Sequence, residues 1–143
     1  MFQPNQSDVR RFFCAAYAGQ RAAAPLDPMS SNAARWMAEH PEYHADLADE
    51  AAALRAAYTV EEGRTNPFLH LAMHLTIEEQ LAIDQPTGIR QALQLLAARR
   101  NSLHDALHEV MECLGEMVWA SKCSLLPPDG QAYIDAVRRR ATR

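Results

Sequence analysis

Apolar residues recur along most of the chain at the three- and four-residue steps of an α-helix, and no stretch alternates long enough to read as a strand. Phe12, Phe13, Ala16 and Tyr17 mark a first helix, capped by Ser7 or Asp8 and ending near Gln20. Pro25 and Pro28 break it, and a second helix runs over about 30–39. The segment from Pro41 to Gly63 predicts a short helix after Pro41 and a loop around Glu61-Glu62-Gly63. Thr65-Asn66-Pro67 sets a capping side chain before a proline at the first helical position, opening a third helix to about Asp84. After the turn Gln85-Pro86-Thr87-Gly88, a fourth helix carries Ile89, Leu93, Leu95 and Leu96. Asn101 or Ser102 begins a fifth, with Asp105 in a capping-box position, extending to about Cys123. Pro127-Pro128-Asp129-Gly130 precedes a last helix ending in Arg138-Arg139-Arg140. The pattern predicts an all-α fold: one compact helical-bundle domain over 1–143, with about five to six helices.

Composition narrows the function classes. The chain has 143 residues, 48% hydrophobic and 22% charged, in the range of an ordinary globular domain. A net charge of -4 argues against a surface built to neutralise a phosphate backbone, so no nucleic-acid partner is expected. No apolar run approaches the roughly 18 residues of a membrane span, and the first residues lack the basic and apolar regions of a secretion signal. Three cysteines, Cys14, Cys113 and Cys123, have no paired spacing, which fits a reduced, cytoplasmic chain.

The histidines change the picture. All six fall in pairs four residues apart: His40/His44, His70/His74 and His104/His108. Random placement would give on the order of 0.2 such pairs. Residues at i and i+4 share one helix face, so two imidazoles can converge on one ion with little loss of freedom. Two pairs are each followed four residues later by a glutamate, giving His70, His74, Glu78 and His104, His108, Glu112 at a constant offset of 34. If the fourth helix folds back between the third and fifth, those two run parallel and bring four imidazoles and two carboxylates together. That set suits zinc, iron or manganese. On a helical wheel, His70 and His74 share a face with Ile77 and Leu81, Glu78 lies between His74 and Leu71, and Thr76, Glu79 and Gln80 set the wet side. In the fifth helix, Leu103, Leu107, Val110, Met111 and Leu114 form the apolar face. His104 is then at the edge, His108 further round, and Glu112 toward Asp105, Glu109 and Glu116. Pro41 separates His40 from His44, which assigns that pair to surface packing with Trp36 and Tyr43.

Other chemistry finds no support. His108-Glu109 lacks the second histidine of a zinc-protease motif, and there is no glycine-rich phosphate loop or nucleophile elbow. Cys113 reads as buried packing. Were the metal site catalytic, Glu109 or Glu116 would be the nearby base. Two readings from other classes stand beside the metal site: a metal-free interaction module or small homo-oligomer with a buried His/Glu network, and a pH-responsive switch.

Asn66-Pro67-Phe68-Leu69-His70, Leu81-Ala82-Ile83-Asp84-Gln85-Pro86, Met111-Glu112-Cys113-Leu114-Gly115-Glu116-Met117 and His40-Pro41-Glu42-Tyr43-His44 resemble a bacterial family known as domain-of-unknown-function family 1841. The resemblance implies a small soluble bacterial protein and names no activity.

Overall fold

The structure, a computed structural model, describes residues 5–58 and 66–143. The loop expected at Glu61-Glu62-Gly63 and the start signal at Thr65 lie outside those residues. The described residues form eight α-helices and no strand. They are α1 (Gln6–Arg21), α2 (Pro28–Ala38), α3 (His44–Leu47), α4 (Glu50–Arg55), α5 (Pro67–Ile83), α6 (Ile89–Arg100), α7 (Leu103–Ser124) and α8 (Gly130–Ala141), with a 3-10 turn at Pro41–Tyr43. The all-α expectation holds, but the count exceeds five to six. The cause is local: Pro41 opens the 3-10 turn, and Asp49 accepts from the Ala52 amide to restart the chain as α4.

The chain divides into two compact units, 1–75 and 76–143, with α5 contributing to both. In the first unit, α1 packs against α2, α3 and α4. Its core comprises Phe13, Cys14, Ala16, Tyr17, Ala33, Ala34, Met37, Leu47, Ala53, Phe68 and Leu71. The cap of α1 is Asn5, which accepts from the Asp8 amide at 2.8 Å, a few residues earlier than the sequence pattern places it. Asn66 caps α5 through its side-chain oxygen, taking the amides of Phe68 and Leu69.

One buried cation belongs to this core. Arg10, 7% exposed, donates from Nη1 to the carbonyls of Ala53 at 2.7 Å and Ala56 at 2.8 Å. Its guanidinium carbon lies 5.3 Å from the centre of the Tyr58 ring and 5.5 Å from that of Phe68. The charge is thus held by two helix-end carbonyls and two aromatic faces.

In the second unit the principal packing is among α6, α7 and α8. The fourth-helix stripe is made by Ile89, Ala92, Leu93 and Leu96, while Leu95 is 50% exposed. The buried face of α7 runs through Ala106, Val110, Met111, Cys113 and Leu114, and Leu103 is exposed. Ser102 caps α7 as expected, and Asn101 instead ends α6 with a left-handed φ of 52°. Gly88, at φ 101°, makes the turn into α6 that a side chain would resist. Tyr133, buried on α8, donates to Gln80 Oε1 at 2.8 Å, which pulls Gln80 off the wet side the wheel assigned to it. Among the described residues, no helix is long and apolar enough to cross a membrane.

Two stability changes follow. Arg10→Met keeps the bulk but leaves the Ala53 and Ala56 carbonyls without their donor, and should cost about 1–3 kcal/mol in a denaturant titration. Leu125 ends α7 at φ 60° and is 90% exposed. Leu125→Gly should therefore stabilise the protein by about 0.5–1 kcal/mol, read as a higher denaturation midpoint.

Candidate histidine centre

The C-terminal end of α2 leaves carbonyls without intrahelical donors. The backbone amides of Glu39 and His40 already bond the Trp36 and Met37 carbonyls at 3.1 Å, and two histidine rings add a second donor to each. His40 places Nδ1 2.8 Å from the Trp36 carbonyl, and His44 places Nε2 2.9 Å from the Met37 carbonyl. Facing a carbonyl, each of these nitrogens must carry the proton and donate. In a neutral ring the lone pair then falls on Nε2 of His40 and on Nδ1 of His44. The two rings therefore do not act as an i, i+4 pair. Pro41 turns the chain between them, and only His40, 6% exposed, is buried.

On α5 the i, i+4 geometry is realised. His70 and His74 bring their Nε2 atoms within 3.1 Å of each other, with ring centroids 4.8 Å apart. His74 is 2% exposed and stacks on Trp36 at 4.1 Å with an interplanar angle of 13°. His40 joins this pair, its ring 4.9 Å from that of His70 and 5.2 Å from that of His74. Tyr43 stacks flat on His40, at 5.2 Å and 2°, and meets His70 edge-on at 5.8 Å. Burial raises the pKa of the Tyr43 hydroxyl, so it stays protonated. One ring nitrogen from each of His40, His70 and His74 lies within 4.8 Å of the others. For comparison, tetrahedral zinc with Zn–N bonds of about 2.0–2.1 Å sets its ligand nitrogens about 3.3 Å apart.

Of the residues expected from spacing, His70 and His74 are thus brought together. Glu78 lies one turn beyond His74 on α5 and is half-buried. In the second unit, His104 and His108 are adjacent, with ring centroids 4.4 Å apart, His104 exposed and His108 half-buried. His108 Nδ1 stands 2.9 Å from the His104 carbonyl.

The acidic residues of α7 face arginines. Glu112, 63% exposed, pairs with Arg140 at 2.6 Å, and Glu116 approaches the same guanidinium at 3.6 Å. Glu109 takes two hydrogen bonds from Arg100, at 2.6 and 3.1 Å. Those hydrogen bonds hold its carboxyl below the usual range, which makes it a weak base. Cys113 is buried and its thiol is pushed up by that burial, in keeping with a packing role.

Spacing alone missed His40, together with the aromatic shell of Trp36 and Tyr43. The signal was present as two aromatic residues flanking a histidine at a helix end, but pairing His40 with His44 concealed it.

No curated protein and no solved structure matches the sequence. The family described as Domain of unknown function (DUF1841) matches residues 5–139, nearly the whole chain, a span that includes His40, His70 and His74. The chain belongs to the DUF1841 family.

Proposed function

We propose that the protein binds a divalent transition metal through His40, His70 and His74. The observation that carries this reading is the 3.1 Å approach of two imidazole nitrogens beside a third imidazole, in surroundings where two of the three rings are buried. Imidazole donors favour zinc or iron over manganese, which prefers oxygen ligands. His40 supports the assignment in a second way. A metal-bound imidazole commonly donates its other N–H to a carbonyl, which fixes the tautomer and aims the ligand nitrogen, and Nδ1 of His40 does this toward Trp36.

A second reading has its own observation. The His70–His74 contact is also the length of an N–H···N hydrogen bond, and among the described residues no buried side-chain polar atom lacks a partner. In that reading the histidines form a metal-free network that specifies the packing of an interaction module.

Zinc titration separates the two. Untagged protein stripped with chelator should take up zinc stoichiometrically, and its melting temperature should rise, by the equivalent of about 2.7 kcal/mol at a free zinc concentration of 100 Kd. His70→Ala/His74→Ala should abolish both effects, and His40→Ala should weaken binding. Wild-type protein that neither retains zinc nor changes its melting temperature would leave the metal-free network as the function of the cluster.

A further inference from the structure

Trp36 touches the histidine cluster twice, through different chemistry. Its carbonyl, at the end of α2, receives the Nδ1 proton of His40 at 2.8 Å. Its indole lies flat on His74, 4.1 Å away and only 13° from parallel. His40 precedes the 3-10 turn and His74 sits in α5, so one residue sets the orientation of rings from two separate segments. We propose that Trp36 is the positioning residue of the centre: its carbonyl fixes the tautomer and aim of His40, and its ring fixes the plane of His74. This rests on the metal-binding reading.

The chemistry asks for such a residue. An imidazole binds a metal along the in-plane lone pair, so rotation about χ2 misdirects the ligand even when the Cβ is well placed. On α5 the helix fixes the Cβ atoms of His70 and His74 but leaves their ring planes to the surroundings. A parallel indole at stacking distance removes that rotation for His74 while adding no competing donor to its face.

The test keeps the backbone carbonyl and varies only the ring. Trp36→Phe retains an aromatic face, and Trp36→Leu retains apolar bulk without one. By the scale of orienting contacts at metal sites, Trp36→Leu should bind zinc about 10- to 100-fold more weakly in competition with a chromogenic chelator. Trp36→Phe should restore most of that loss, while the metal-free melting temperatures of the two variants remain close. Trp119→Leu, at the other and well-exposed tryptophan, should bind as wild type does.

Because Trp36→Leu could fail to fold, a second measurement leaves Trp36 intact. In Trp119→Phe protein, stoichiometric cobalt(II) should strongly quench the remaining indole, since the metal would sit on a ring stacked against it. Equal zinc affinity in wild type, Trp36→Phe and Trp36→Leu, or cobalt bound without quenching, would overturn the assignment of Trp36. Wild-type protein that binds neither metal would instead overturn the metal-binding reading on which it rests.

Discussion

The eight helices of the described residues leave many carbonyl groups at their C-terminal ends with no donor from their own helix, and much of this structure is organised by how those carbonyls are answered. The chain has only five glycines, too few for left-handed glycine caps at most helix ends. Backbone amides answer many of them, some through non-glycine residues in left-handed conformation such as Asn101 and Leu125, and long cationic or imidazole side chains add further donors. Arg10 donates to Ala53 and Ala56 at the end of α4, and Arg90 to Leu81 and Ala82 at the end of α5. Arg99 and Arg100 donate to the carbonyls of Arg143 and Arg140 at the end of α8. The end of α2 differs, because the side-chain donors that join the amides of Glu39 and His40 there are the rings of His40 and His44.

That difference has a chemical consequence. An arginine that caps a helix keeps its charge and offers no lone pair, so its role ends with the hydrogen bond. A neutral imidazole that donates from one nitrogen presents a lone pair on the other. At His40 this places a defined acceptor nitrogen in a buried setting beside His70 and His74, so one hydrogen bond both adds to the cap of α2 and orients a ring of the candidate centre. The surrounding rings of Trp36 and Tyr43 keep the cluster apolar at its edges, which strengthens electrostatic interactions inside it.

The acidic side of α7 follows a different logic. Glu109, Glu112 and Glu116 meet Arg100 and Arg140 and tie α6, α7 and α8 together at the polar surface of the second unit. Glu112 stands at the same four-residue step from His108 as Glu78 does from His74, yet it is exposed and engaged by a guanidinium. A regular spacing in sequence sets only where a side chain leaves its helix. Which neighbour it meets depends on the elements packed alongside.

The helical class, the positions of most helix starts and the pairing of His70 with His74 were legible in the chain, because each depends on residues within one or two turns of each other. Proline and capping side chains act locally, and a four-residue step on a helix brings two rings together regardless of context. The division of 41–55 into a 3-10 turn and two short helices was less legible, since helices of four and six residues persist only when packing supports them. The tertiary structure alone decided that His40 parts from His44 and joins the α5 pair, that Arg10 is buried, and that Trp36 covers His74. Those outcomes bring together residues as far apart in sequence as Arg10 and Phe68, and no periodicity along one helix encodes them.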